Sequence, residues 1–180
     1  VVIVGNDYAS EIYVKNKVLA CERVGIKSQI VRLTEDVSEQ VVSERIAMLN
    51  RDTSVHGIIV QLPLPDHLNE RLILQSVSVK KDVDGFHFQN VGALVAGHLG
   101  FLPCTPGGIV TMLRHYNIVA ESKRAVIVGR SNIVGKPIAL LLLRENATVT
   151  ICNSKTNDLR SFTKEADILV VAAGRCNLVN

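Results

Sequence analysis

The run Ala125-Val126-Ile127-Val128-Gly129-Arg130-Ser131-Asn132-Ile133-Val134-Gly135-Lys136-Pro137 carries the strongest local signal in the chain. Four apolar residues predict a buried strand, Gly129 a turn, and Pro137 the first turn of a helix. An anion needs such an arrangement: glycine lets the backbone come close, and the N–H groups of a helix start point at the charge. The match to the usual dinucleotide pattern is partial. Ser131 stands where a second glycine is expected and Val134 where the third would be, with Gly135 one place late. An ordinary strand-to-helix turn is the alternative, so the surrounding sequence has to choose.

Downstream, Thr148 to Cys152 reads as the next strand and ends at Asn153-Ser154-Lys155-Thr156. A helix around 158–165 and a strand over 167–173 complete a β-α-β-α-β half-sheet. In the dinucleotide fold an acid about 20 residues beyond the loop holds the ribose diol. Here Asn153, Ser154 and Lys155 take that position. With Arg130 directly after the turn glycine, the missing acid points to a 2′-phosphate, hence NADP over NAD. The alternative is that Arg130 and Lys155 are solvated charges.

Upstream, Pro103-Cys104-Thr105-Pro106-Gly107-Gly108 opens a helix to Tyr116, with Thr105 as N-cap and Pro106 first inside, expected to bridge a first domain to a second. The first half repeats the α/β rhythm: a strand over 1–5, a helix capped by Ser10 and stopped by Gly25, and a strand over 26–33. A helix over 38–50 follows with Val41, Val42, Ile46 and Leu49 inward, then an apolar strand over 57–62 and a helix over 68–77. That alternation predicts a parallel sheet with both faces covered. The stripe of the first helix is Val14, Val18, Cys21 and Gly25; Tyr13 and Lys17, at i and i+4, share a neighbouring face near the strand end. Gln61, followed by Leu62-Pro63-Leu64-Pro65, ends the third strand, where ligands of parallel sheets bind; a plain polar strand exit is the alternative. In Lys80-Lys81-Asp82-Val83-Asp84-Gly85-Phe86-His87 two acids are too few for a calcium loop. Asp82 beside Lys81 reads as a surface pair or turn former. A carboxylate at Asp84 facing a cleft suits a flat heterocycle with two N–H donors.

With 180 residues, 47% of them hydrophobic and 21% charged, the composition is that of a globular protein with a sizeable core. A net charge of +3, scattered basic residues and 4% aromatics do not describe a nucleic-acid surface. No run has membrane-spanning length. Cys21, Cys104, Cys152 and Cys176 form no CxxC, which predicts reduced thiols and no metal site. The chain opens inside a strand without methionine and stops soon after another, so it reads as a fragment whose targeting peptide and later strands lie outside it.

Together, Tyr13-Val14-Lys15-Asn16-Lys17, Gln61-Leu62-Pro63-Leu64-Pro65, Lys81-Asp82-Val83-Asp84-Gly85-Phe86-His87, Pro103-Cys104-Thr105-Pro106-Gly107-Gly108 and Gly129-Arg130-Ser131 with Val134-Gly135 resemble the methylenetetrahydrofolate dehydrogenase/methenyltetrahydrofolate cyclohydrolase family in order and spacing. The resemblance implies a parallel-sheet folate-binding catalytic domain, here residues 1–104, before a Rossmann-like NADP-binding domain, here 105–180. Both would be incomplete. It implies a cytoplasmic homodimer, with the mitochondrial matrix as the other compartment, and tetrahydrofolate derivatives as substrates. The catalytic lysine falls on Lys17, its partners on Tyr13 and Gln61, and the pterin-binding aspartate on Asp84. The cofactor residues fall on Thr105, Gly129, Arg130, Ser131, Gly135 and Ser154. The sequence departs at Asn153, where members often carry histidine.

The chemistry implied is NADP-dependent oxidation of 5,10-methylenetetrahydrofolate, then hydrolysis of the methenyl product. Hydride loss asks for orientation, while water attack asks for proton movement, the task for Lys17. Two alternatives stay open: a member that only dehydrogenates, and a nucleotide-binding regulatory module without turnover.

Overall fold

The computed structural model describes residues 1–179 and divides into two compact units, Val1–Val83 and Asp84–Asn180. In the first unit, β1 (Val2–Val4) pairs in parallel with β2 (Val31–Leu33), Val2 opposite Val31. On its other side β1 meets the extended segment 58–61: Val2 N–H donates to Ile59 O at 2.7 Å and Gln61 N–H to Val2 O at 2.9 Å. The third strand of the sequence reading is therefore bridged at Val60 and at Ile58 without forming a continuous ladder, and the second is shortened to its last three residues.

Three helices belong to this unit: α1 (Tyr8–Arg23), α2 (Glu39–Arg51) and α3 (Glu70–Ser76). Val2 and Val4 share a core with Val42 and Ile46 of α2, Ile73 of α3, and Ile58 and Val60. Alternation along β1 turns Ile3 to the other face, where it too is buried. Only part of the expected helix faces is inward. Val41 of α2 is exposed, and of the α1 stripe Val14 is fully buried, Val18 and Cys21 partly so, and Gly25 exposed, with its positive φ of 78° ending the helix. The α1 cap is Asp7, not Ser10: the Asp7 carboxylate accepts the Ser10 N–H at 2.7 Å, while Ser10 turns inward. Asp82, read as a surface pair or turn former, is only 4% exposed.

The second unit begins with α4 (Phe88–Ala96), which the sequence reading did not anticipate, and α5 (Cys104–His115). The latter starts two residues earlier than expected, with Pro103 at the cap, so Thr105 is inside the helix and does not cap it; it packs against α6 (Gly135–Arg144) within this unit. Pro106 is tolerated in the first turn because its missing N–H would have no helical partner. The sheet holds β3 (Arg124–Val128), β4 (Thr148–Cys152) and β5 (Ile168–Val171), all parallel in the order β4-β3-β5. A short α7 (Leu159–Lys164), capped by Asp158, joins the last two. Ala125 and Ile127 of β3 bury against α4 and α6, while Val126 and Val128 bury with Cys152 on the opposite face, so β3 is buried on both faces, whereas Leu169 and Val171 of β5, on the face of Val126 and Val128, stay exposed. The four cysteines are unbridged, and no helix among the described residues is long and apolar enough to cross a membrane.

The Asp7 cap makes the start of α1 pH-sensitive. The Ser10 backbone N–H holds the Asp7 carboxyl below its ordinary value. A lowered folded value means the contribution is complete above about pH 4 and is lost as pH falls through that lowered value. Amide exchange in the first turn of α1 is expected to accelerate on acidification. In Asp7→Asn, whose amide oxygen caps at every pH, that acceleration should disappear.

Candidate functional site

In the first unit, α1 and the end of the segment beside β1 bring two of the expected residues into contact. Lys17 Nζ donates to Gln61 Oε1 at 3.0 Å. Gln61 is 9% exposed, and its Nε2 donates to its neighbour's carbonyl, Leu62 O, at 2.6 Å. Ser10 Oγ donates to that same oxygen at 3.4 Å. Tyr13, one turn before Lys17, is 63% exposed, so its phenol faces outward beside a half-buried lysine. An ammonium has three donors and one is spent on Gln61, which leaves the others for a ligand. The sequence reading missed Ser10 as a support of this cluster. Its signal was the spacing Ser10, Tyr13, Lys17, which are i, i+3 and i+7 on one helical face.

Asp84 opens the second unit. Cys104 Sγ, at the start of α5, donates to Asp84 Oδ1 at 3.7 Å. Gly85 holds the turn between them at a φ of 68°, and an added Cβ there would stand 2.7 Å from Phe101 O. Only glycine suits both the conformation and the space. Thr105, adjacent to Cys104, is exposed in the first turn of α5 between the buried Pro103 and Pro106.

The loop after β3 is shaped by two close approaches. Gly129 has a φ of 131°, and a Cβ on it would run into Ala172 O; a Cβ on Gly135 would run into Gly129 O. Ser131 closes the loop: its Oγ accepts from Val134 N–H and Gly135 N–H at 3.1 Å each, and its carbonyl accepts from Lys136 N–H at 3.0 Å. The amides of the helix start, expected to point at an anion, are therefore already engaged. Within the loop and the start of α6, the N–H groups of Val134, Gly135 and Lys136 have protein acceptors, and those from Arg130 to Ile133 do not. A serine where a glycine was expected thus serves as an internal cap.

At the neighbouring strand end, Val128 is in register with Cys152 and Gly129 N–H donates to Cys152 O at 2.8 Å. Arg130 and the segment after Cys152 therefore leave the sheet at one edge, and Arg130, Ser154 and Lys155 are all exposed there. Asn153 is occupied by its own turn: its side chain accepts from Lys155 N–H at 2.9 Å, and its N–H donates to Thr156 Oγ1 at 2.8 Å. Burial pushes the Cys152 thiol up from its ordinary value, against the pull of the Thr156 hydroxyl. Because β3 has β4 on one side and β5 on the other, the chain reverses its winding beside Gly129. Open α/β sheets bind ligands in the crevice at such a switch point.

Two family profiles match the chain: the catalytic domain of tetrahydrofolate dehydrogenase/cyclohydrolase over residues 1–84 and its NAD(P)-binding domain over residues 103–180. The chain belongs to the tetrahydrofolate dehydrogenase/cyclohydrolase family. It is 54% identical over 180 residues to the bifunctional protein FolD of Agathobacter rectalis, covering 100% of this chain and 64% of that protein. The crystal structure of the bifunctional FolD methylenetetrahydrofolate dehydrogenase/cyclohydrolase from Campylobacter jejuni superposes with a TM-score of 0.97 at 52% identity, over 99% of this chain and 64% of that one. The Trypanosoma brucei methylenetetrahydrofolate dehydrogenase-cyclohydrolase, solved with NADP cofactor and an inhibitor, gives 0.92 at 34% identity, over 97% and 60%. This family member thus spans about 64% of the length of the curated relative.

Proposed function

We propose that the chain carries the working residues of a bifunctional enzyme that oxidises 5,10-methylenetetrahydrofolate with NADP and hydrolyses the methenyl product to 10-formyltetrahydrofolate. The bond from Lys17 Nζ to Gln61 Oε1 at 3.0 Å, with Tyr13 one turn away, carries this reading. A dehydrogenase needs no amine held in that way. Loss of hydride from the one-carbon bridge leaves a cation shared by N5 and N10, so that step requires placement of the carbon and no proton transfer.

NADP supplies the hydride acceptor when it is bound. The residues present fit it. Gly129 and Gly135 clear backbone space that a Cβ would fill, and the loop amides from Arg130 onward offer donors to a diphosphate. Arg130 and Ser154, exposed at one edge with no acid among residues 153–156, suit a 2′-phosphate. Thr105 belongs to the nicotinamide end in this reading, and the Asp84 carboxylate accepts two N–H groups of the pterin. In hydrolysis, Lys17 acts as the free amine: one N–H stays on Gln61 and the lone pair takes a proton from the water attacking the methenyl carbon. N5 then departs and receives one water proton, and the other goes to solvent. Tyr13 and Gln61 keep the lysine directed at that carbon. We assign residues 1–104 to the folate half and 105–180 to the NADP half of a homodimer. A reducing compartment, the cytoplasm before the mitochondrial matrix, suits the four unbridged cysteines.

The cofactor assignment turns on Arg130. A charge-assisted contact contributes roughly 1.5 to 3 kcal/mol, so Arg130→Ala in the full-length enzyme should weaken NADP binding about 10- to 150-fold and leave NAD binding nearly unchanged. Equal losses for both cofactors would overturn it. The two-reaction reading turns on Lys17. General acid–base help contributes about 10²- to 10⁴-fold, so Lys17→Met should cost methenyltetrahydrofolate hydrolysis that much while hydride transfer suffers less. A variant that hydrolyses as fast as the parent, after correction for the uncatalysed rate, removes Lys17 from the chemistry.

A further inference from the structure

The last turn of α2 ends with backbone carbonyls that have no helical partner. Lys81, about thirty residues downstream, answers them: its Nζ donates to Leu49 O at 2.9 Å and to Asp52 O at 2.7 Å. A cation there also meets the negative end of the helix dipole. From the same turn, Asn50 reaches the same downstream segment, its Nδ2 donating to Ser76 O at 2.7 Å and its Oδ1 accepting from Ser78 N–H at 2.9 Å. The segment between is closed on itself, with Lys81 N–H and Asp82 N–H both donating to Ser78 O, at 2.7 and 2.9 Å. Ile58 N–H holds it from the sheet side through Lys81 O at 2.7 Å. Val83 then rests on Gly57, where an added Cβ would stand 2.6 Å from Val83 Cγ1. The chain is thus fixed up to Val83, and Asp84 follows after one peptide bond, about 3.8 Å from Cα to Cα.

We propose that Lys81 and Asn50 clamp residues 76–83 onto the end of α2 and thereby set the position of Asp84, making Lys81 a positioning residue for the folate ring. The proposal rests on the reading of Asp84 as the pterin carboxylate. A lysine whose only task was to cap α2 would affect stability without touching substrate. The clamp differs because its far end is the carboxylate itself: a shifted loop presents Asp84 at the wrong place, and misplacement is costly where two hydrogen bonds must form in one plane.

The test uses the full-length enzyme. Lys81→Met keeps the stem and deletes the ammonium; the KM for methylenetetrahydrofolate should rise about 10- to 100-fold with kcat and the KM for NADP nearly unchanged. Lys81→Arg should recover most of the loss. In an Asp84→Asn background, Lys81→Met should cost nothing further, because the group it positions is gone. Gly57→Ala, which displaces Val83 without deleting a hydrogen bond, should move the folate KM the same way, and carries the test if the lysine variant fails to fold. A lower melting temperature with an unchanged folate KM in these variants would reduce the clamp to a helix cap. If Asp84→Asn raises the folate KM and Lys81→Met does not, the clamp alone fails; if Asp84→Asn leaves it unchanged, the Asp84 reading fails and the clamp with it.

Discussion

One carbonyl oxygen, that of Leu62, organises the candidate catalytic cluster by accepting two donors, Gln61 Nε2 and Ser10 Oγ. A primary amide has a donor end and an acceptor end, so fixing Nε2 on Leu62 leaves Oε1 to point elsewhere. It points at Lys17, which has donors only and is a suitable partner for that end of the amide. The lysine is therefore held by a polar chain anchored in backbone, and Gln61 is itself tied to β1 through its N–H on Val2 O. Because the chain is largely buried, removing any member strands the next one, and the cost of an unsatisfied buried polar group keeps the arrangement intact.

The second unit uses backbone proximity for a similar end. Gly129 and Gly135 let three chain segments approach more closely than side chains allow, and Ser131 supplies the cap that a glycine at its position could not. Engaging the helix-start amides moves the available donors back into the loop, toward the crevice where the sheet reverses its winding. In the proposed reading, hydride transfer, which depends on placement, would draw on this rigid turn, and hydrolysis, which depends on protons, on the polar chain in the other unit.

The elements that were legible in the sequence are those where one local signal suffices. The β3 run, the glycine turn, Thr148–Cys152 and the Asp158-capped helix follow from apolar runs bounded by turn residues. What was not legible depended on partners distant in the chain. Ser10 and Asp7 are both good cap residues, and only the oxygen of Leu62 draws Ser10 inward and leaves the cap to Asp7. Helix α4 lacks a usual start signal: its cap is His87, whose Nδ1 accepts from Gln89 N–H. The segment 58–61 has the composition of a strand, yet it is held by isolated bridges rather than a full ladder. For the candidate site, Lys17, Tyr13 and Gln61 were legible as residue types at telling positions, whereas the bonds of Ser10 and Asn50, which carry no motif, and those of Lys81, which stands in one, become visible only in the structure.

The measurement that bears most directly on the division of labour is the time course of both reactions in a Gln61→Met variant of the full-length enzyme. This substitution keeps the length of the side chain and removes the oxygen that holds Lys17. Started from methylenetetrahydrofolate and NADP, the variant should form NADPH at close to the parent rate while methenyltetrahydrofolate accumulates, because its hydrolysis has lost the oriented amine. A variant that forms NADPH and clears the methenyl compound as the parent does, or that loses both rates equally, would contradict the account.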